Sequence, residues 1–195
     1  MSRFFDLLFL LIISPILIPL FLMVLFLAFI FHRSNIFFIQ KRLGKNKKIF
    51  QLIKFRSMIV NAQNLGTGLY SYSDDNRITI FGKFLRVTSL DELPQLFNIL
   101  KGDMSLVGPR PAVLGELEQE KNLPVNIDLR FNIKPGLTGW AQIHGRDNLT
   151  WSQKAIFDIE FVETKGIKKV FRIIYIIIFT PLYLFNFSAT YEKRN

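Results

Sequence analysis

The sequence predicts a mostly helical α+β protein attached to a membrane. Three observations carry this reading. Residues 7–31 form an uncharged apolar run, residues 36–55 hold two short aromatic-apolar runs around a basic turn, and the second half alternates helical patterns with turn-rich stretches. Half of the 195 residues are hydrophobic and 21 are Phe, a surplus that suggests a surface partly bathed in lipid. The length suits one domain with its own core.

As a helix, the run LLFLLIISPILIPLFLMVLFLAFIF would be roughly 38 Å long at ~1.5 Å per residue, enough to cross a hydrocarbon layer of ~30 Å. No small-residue cleavage site follows it, so it does not read as a cleaved signal. Pro15 and Pro19 lie inside, four apart. Each lacks an N–H and crowds the preceding turn, at ~3 kcal/mol when unrelieved. Ser14 can return a hydrogen bond to the freed backbone. Two topologies fit: one kinked spanning helix, or a re-entrant hairpin with both ends cytoplasmic. Arg3 precedes the run, and Arg33, Lys41, Arg42, Lys45, Lys47, Lys48, Lys54 and Arg56 follow it with no acid among them. Basic flanks favour the cytoplasmic side.

Residues 36–40 and 49–55, joined by KRLGKNKK, predict a small β-hairpin whose basic turn lies at anionic headgroups. Residues 64–77, rich in Gly, Ser and Asp, predict a loop. A helix is expected over 94–100 and a short charged helix over 112–121. Residues 133–146, with three glycines and a proline, predict turns rather than regular structure. Residues 151–164 predict an amphipathic helix; the apolar 173–187 could be a second spanning helix, but Pro181 and Asn186 weaken that and favour one lying at the interface. The chain divides into a membrane helix (1–33), a central region at the membrane surface (34–165) and a basic, then apolar, C-terminal segment (166–195). No internal repeat is present.

The net charge of +10 fits nucleic acid, an anionic bilayer or an anionic substrate. The absence of cysteine excludes disulfides, thiolate nucleophiles and Cys-based zinc sites, and two histidines, His32 and His144, leave little for His-based metal or Ser-His chemistry.

Against this basic background the segment SLDELPQL at 89–96 sets Asp91 beside Glu92. The spacing Ser89-x-x-Glu92 has the form of a capping box. With Ser89 as N-cap, however, Pro94 falls too deep in the helix. With Asp91 as N-cap, Pro94 lies in the first turn, and the helix dipole would keep Asp91 ionised. Arg110 sits in GPRP at 108–111, a stiff setting for a bidentate phosphate contact or a structural ion pair. Arg86 precedes Asp91 by five residues. Lys54 and Arg56 are further candidates for phosphate or for lipid headgroups. Asp103 could ligate metal or cap a turn. Trp140 and Trp151 could stack on a base or sugar but suit core or interfacial positions better, and His144 and Arg146, which flank a glycine, could line a pocket or make loop hydrogen bonds.

Three blocks carry a resemblance: FFIQKRLGKNKKIFQLIKFRSM at 37–58, ITIFGKFLRVTSLDELPQLFNILKGDMSLVGPRP at 78–111, and RFNIKPGLTGWAQIHGRDNLTW at 130–151. Together they resemble the bacterial sugar transferases, in particular the small monotopic phosphoglycosyl transferases of the PglC type. The likeness runs from about Arg3 to about Phe161. It implies transfer of a sugar-1-phosphate from a UDP-sugar to a polyprenol phosphate, usually undecaprenyl phosphate, with release of UMP. This is the first membrane step of glycan assembly.

The resemblance further implies Asp91 as nucleophile in a ping-pong scheme through a phosphosugar-Asp91 intermediate, and Glu92 and Asp91 as handlers of Mg²⁺ and phosphate. Arg86, Arg110, Lys54 and Arg56 become phosphate-binding candidates. It also implies a re-entrant helix broken at Ser14-Pro15, hence a monotopic protein on the cytoplasmic face of the bacterial inner membrane, with the anionic bilayer as partner and no nucleic acid. The chain departs from the family pattern at Ser2 (commonly Lys), at His144 (commonly Asn) and at 166-GIKKVF-171, which lacks a common Asp. A membrane glycosyltransferase releasing UDP, or a non-enzymatic basic anchor, are the alternatives. These residues specify neither the sugar nor an oligomeric state.

Overall fold

The computed structural model describes residues 3–32, 35–65, 75–120 and 122–192. The mostly helical α+β class holds. The first element, α1 (Arg3–His32), is one continuous helix with Pro15 and Pro19 inside it. The expected break at Ser14-Pro15 is therefore not an interruption of the helix. Pro15 cannot donate to the Leu11 carbonyl, and the Ser14 hydroxyl donates to that oxygen instead, at 2.8 Å, so the helix passes the proline without an orphaned acceptor.

Both ends of α1 are fastened to the rest of the chain. Arg3 donates to the carbonyls of Ile99 and Leu100. Asp6, buried, accepts from the Ser105 hydroxyl at 2.9 Å and from the Leu106 N–H at 3.0 Å. At the far end Phe31 stacks on Phe81 with ring centres 4.8 Å apart, and Val24 and Ala28 are fully buried. The opposite side of the helix leaves Phe5, Leu11, Ile16, Phe26 and Phe29 exposed, an apolar surface suited to lipid.

The predicted hairpin forms from β1 (Phe37–Leu43) and β2 (Ile49–Phe55), antiparallel, with Phe37 opposite Phe55 and Leu43 opposite Ile49. Asn46 and Lys47 take left-handed backbone in the turn. The two faces of β2 meet two cores. Leu52 packs with Leu10, Ile99, Met104 and Phe161; Phe55 packs with Val24, Ala28, Phe81 and Leu85. A side chain serves β2 as a further strand would. The buried Asn98 amide donates to the Gln51 carbonyl at 2.7 Å, and its oxygen accepts from the Ile53 N–H at 3.1 Å.

Next come α2 (Ile80–Val87), N-capped by Thr79, and α3 (Gln95–Lys101), the helix predicted over 94–100. The strand β3 (Ser105–Val107) pairs in parallel with β4 (Gly136–Thr138), where irregular structure was expected. A Cβ at Gly136 would stand 2.1 Å from the Gly108 nitrogen, so this close crossing requires glycine. The short α4 (Trp140–Ile143) leads to α5 (Trp151–Glu163), which opens on a full capping box between Thr150 and Gln153. The last element among the described residues is α6 (Gly166–Glu192).

The charged helix expected over 112–121 is absent among the described residues, where only a 3₁₀ turn at Leu117–Gln119 forms. Val113 bridges Arg42, and the Ala112 carbonyl accepts from the Leu43 N–H at 3.0 Å. The segment thus begins as an extension of the hairpin. Of the loop expected over 64–77, residues 66–74 lie outside the described residues.

Candidate active site

The SLDELPQL segment takes neither of the helix starts considered for it. Ser89 has left-handed backbone (φ 56°), Leu90–Glu92 make one 3₁₀ turn, and Pro94 stands before α3. No capping bond comes from Ser89, and Asp91 lies inside the 3₁₀ turn rather than at the start of α3, so the expected Asp91 N-cap is corrected. A proline at the very start of the helix gives up no ladder bond.

Both acids are buried and face cations. Lys54 Nζ lies 3.1 Å from Glu92 Oε1 and 3.8 Å from Asp91 Oδ2. Both terminal nitrogens of Arg110 donate to Glu92 Oε1 at 3.2 Å, and Arg146 Nη2 stands 3.8 Å from the same oxygen. Burial raises the Asp91 carboxyl above the usual carboxylate range; Lys54 pulls it down, and the Glu92 charge adds to the rise. Burial pushes Glu92 upward too, but Lys54, Arg110 and Arg146 together outweigh it and hold Glu92 well below that range. Burial lowers the Lys54 ammonium against the pull of both acids. Two adjacent carboxyls thus have opposite tendencies, a pattern typical of functional sites.

Four successive carbonyls, from Pro109 of the GPRP segment to Ala112 just after it, are held by hydrogen bonds. Pro109 O accepts from Gly136 N at 2.9 Å, Arg110 O from Arg130 at 2.7 Å, Pro111 O from Arg42 at 2.8 Å, and Ala112 O from Leu43 N. The two prolines need no acceptors of their own. Arg110 therefore projects from a fixed backbone. Arg130, itself buried, pairs with the buried Asp158 at 2.8 Å and lies over Trp151. Burial pulls the Arg42 guanidinium down to about 10.

Arg86 is set by a close helix approach. A Cβ at Gly82 would fall 1.8 Å from the Ser57 carbonyl oxygen; glycine lets α2 reach this segment, and Arg86 Nε donates to the Ser57 hydroxyl at 3.0 Å.

Two cavities meet at the acid pair. One, about 480 Å³, is walled by Asp91 with Lys54, Arg56, Arg86 and Arg42. The other, about 560 Å³, has Glu92, Arg110 and Arg146 at its charged end and is otherwise mostly apolar. Of the sequence candidates, Asp91, Glu92, Lys54, Arg110 and Arg86 come together. Arg56 lines the first cavity but donates to the Asn35 and Phe37 carbonyls, closing the base of the hairpin. Asp103 pairs with Lys101 at 3.7 Å and takes no part in the acid cluster. Trp140 donates to Glu160 at 3.0 Å, and His144 lies between Trp140 and Phe157. Sequence reasoning did not single out Arg42 as a site residue. The buried Pro111 carbonyl that recruits it lies 69 positions away, and only the pairing of Val113 with β1 brings them together.

Among the described residues no group of three or more His, Cys, Asp or Glu side chains could cage a metal. Two adjacent carboxylates beside a cavity do fit Mg²⁺, which commonly takes one or two carboxylates and completes its shell with substrate phosphates and water. The contacts that Lys54, Arg110 and Arg146 make with Glu92 all fall on its Oε1.

The model for the family described as "Bacterial sugar transferase" matches residues 1–184. The "Exopolysaccharide production protein ExoY" of Sinorhizobium fredii is 36% identical over 176 residues, 83% of this chain and 76% of the relative. The "Undecaprenyl-phosphate galactose phosphotransferase" of Salmonella typhimurium is 42% identical over 137 residues, 63% of this chain and 28% of the relative. The "UDP-glucose:undecaprenyl-phosphate glucose-1-phosphate transferase" of Escherichia coli is 40% identical over 149 residues, 74% of this chain and 32% of the relative. The match thus spans about a third of the length of these last two.

Proposed function

Since this chain belongs to the bacterial sugar transferase family, we propose that it moves a sugar-1-phosphate from a UDP-sugar to a polyprenol phosphate, undecaprenyl phosphate by the names of its relatives, and releases UMP. One observation carries the reading: an aspartate and a glutamate, adjacent and buried, share Lys54 while the glutamate alone holds Arg110 and Arg146. A glutamate so neutralised organises cations that a diphosphate needs. The aspartate beside it is left for bond formation.

In the first step an Asp91 carboxylate oxygen attacks the phosphorus that bears the sugar. The bond from that phosphorus to the bridging oxygen breaks, and UMP leaves with the bridging oxygen. In the second, an oxygen of the polyprenol phosphate attacks the same phosphorus, the Asp91–phosphorus bond breaks, and the carboxylate is restored. Lys54 and Arg86 neutralise the donor phosphates beside Asp91, and Arg110 is held for phosphate by its clamped backbone. Mg²⁺, held by Asp91 and Glu92, would supply charge neutralisation at the diphosphate.

The protein works at the cytoplasmic face of the bacterial inner membrane, with α1 monotopic. Support comes from the contacts of both ends of α1 with the same body and from the apolar side it leaves exposed. The test is incubation of the purified protein with Mg²⁺, undecaprenyl phosphate and a panel of UDP-sugars. UMP release with one of them, lost in Asp91→Asn, is expected, together with a phosphosugar adduct on the intact protein when the lipid is omitted. Release of UDP instead would overturn the reading.

A further inference from the structure

The second cavity is built differently from the first. Its walls are Phe9, Ile13 and Leu17 of α1, Leu96 of α3, and Ile177 and Pro181 of α6. Its charged end is Glu92, Arg110 and Arg146. Apolar walls and cations at one end match an amphiphile with a long hydrocarbon chain and an anionic head. Two of these helices also carry exposed apolar surface, at Leu11, Ile12 and Ile16 on α1 and at Ile174 and Ile178 on α6. The cavity is therefore continuous in character with the lipid-facing side of the molecule.

The position of α6 is fixed rather than incidental. The Thr180 hydroxyl lies 2.7 Å from the Thr138 hydroxyl on β4 and also donates to the Ile176 carbonyl. Ile176 is fully buried and packs in the core with Leu10, Leu106 and Ile143. A helix that only docked the chain on a membrane would need neither the threonine pair nor the buried isoleucine.

We propose that the cavity between α1 and α6 receives the prenyl chain of the acceptor lipid, with its phosphate on Arg110 and Arg146, and that α6 is a wall of this chamber rather than a membrane anchor alone. This rests on the phosphoglycosyl transfer reading above and assigns its second substrate a place. The prenyl chain slides in from the lipid side between Leu17 and Ile177. Its phosphate displaces Glu92 as the partner of the two arginines. The donor reaches Asp91 through the polar cavity, where Lys54 and Arg86 stand.

The two half-reactions separate this inference from the reading beneath it. Adduct formation needs only the UDP-sugar, and discharge needs the lipid. The probes are UDP-galactose and UDP-glucose as donors, and undecaprenyl phosphate or the two-isoprene geranyl phosphate as acceptors. Wild-type protein is expected to discharge the adduct onto undecaprenyl phosphate at a KM at least ten-fold lower than onto geranyl phosphate. Leu17→Trp and Ile177→Trp, each filling the chamber, are expected to form adduct at the wild-type rate, which also shows that they fold. They should raise the KM for undecaprenyl phosphate at least ten-fold and leave that for geranyl phosphate nearly unchanged. Equal KM for the two acceptors in wild type overturns the inference, and this measurement needs no variant. Adduct formation slowed as much as discharge assigns the cavity to the donor and also overturns it. Inhibition by phosphatidic acid as strong as competition by undecaprenyl phosphate would make bulk phospholipid the occupant, with the same consequence. Absence of any adduct in wild type across the whole panel of UDP-sugars removes the phosphoglycosyl reading itself, and this inference with it.

Discussion

Ser89 and Arg146, 57 positions apart, both adopt left-handed backbone, at φ 56° and 49°, and the Arg146 guanidinium donates to the Ser89 hydroxyl at 3.3 Å. Residues with side chains occupy this region at a cost of ~1–3 kcal/mol when the surroundings impose it. Here the two strained positions flank the acid cluster: Ser89 opens the turn that carries Asp91 and Glu92, and Arg146 reaches Glu92. Glycine at 89 keeps the left-handed turn freely, whereas a β-branched residue cannot. Ser89→Gly is expected to form adduct within a few-fold of wild type, and Ser89→Val to lose at least ten-fold, as followed by intact mass. Equal rates in the two variants would mean that the backbone at Ser89 does not set the position of Asp91.

The pH dependence of adduct formation follows from Asp91 and Lys54. Attack requires the carboxylate. Burial raises the Asp91 carboxyl, so the acidic limb of the rate should lie above the ordinary Asp value of ~3.9, the rate falling as pH drops through it. Lys54 opposes that rise. Lys54→Met removes the opposing charge, so the limb should move to still higher pH while the maximal rate falls through weaker donor binding. A limb that moves to lower pH in Lys54→Met would show that Lys54 does not act on Asp91 in this sense.

The buried pair of Arg130 and Asp158 tests the clamp on Arg110. Asp158→Asn leaves a buried guanidinium without its counter-ion, which costs ~3–5 kcal/mol, and the unfolding midpoint should drop accordingly. The double replacement Arg130→Met with Asp158→Leu removes both charges, and much of that stability should return. The Arg110 carbonyl would still lack its donor at 2.7 Å. UMP turnover should therefore stay below wild type even where thermal unfolding is restored. Full recovery of both would reduce Arg130 to a core contact.

Sequence reasoning reached the acid pair, Lys54, Arg86 and Arg110 because residue type and block resemblance act locally. It also reached the hairpin and α3, whose apolar patterns are short but bounded by clear turn signals. It did not reach β3 and β4. Three residues each, SLV and GLT, give no period to read, and their parallel pairing depends on Gly108 and Gly136 crossing closely. The helix expected over 112–121 failed for a related reason: the pairing of Val113 with Arg42 overrode local helix preference. Asn98 is the sharpest case. Its side chain mimics a strand for β2 and ties α3, and with it the acid turn, to the strand that carries Lys54. A lone asparagine in a helical pattern gives no hint of that. Asn98→Ala should accordingly cost about 1–3 kcal/mol for each backbone group left unsatisfied, read as a lower unfolding midpoint with adduct formation also reduced.

The topology of α1 can be decided because the chain has no cysteine to confound labelling. At ~1.5 Å per residue, a helix of 30 residues is ~45 Å long, well beyond the hydrocarbon thickness of ~30 Å. Length alone therefore permits crossing. Crossing would also carry Arg3 and Asp6 away from the carbonyls and the strand that they now hold. It would leave Asp6 without the Ser105 hydroxyl and the Leu106 N–H that now satisfy its carboxylate. A monotopic α1 keeps those bonds and leaves its apolar side to the bilayer. Ser2→Cys and Lys48→Cys, made singly, should both react with a membrane-impermeant maleimide in inverted inner-membrane vesicles, and neither should react in intact spheroplasts. Reaction of Ser2→Cys in spheroplasts, with Lys48→Cys still protected, would place the two ends of α1 on opposite sides and require the Arg3 and Asp6 contacts to be broken in the membrane.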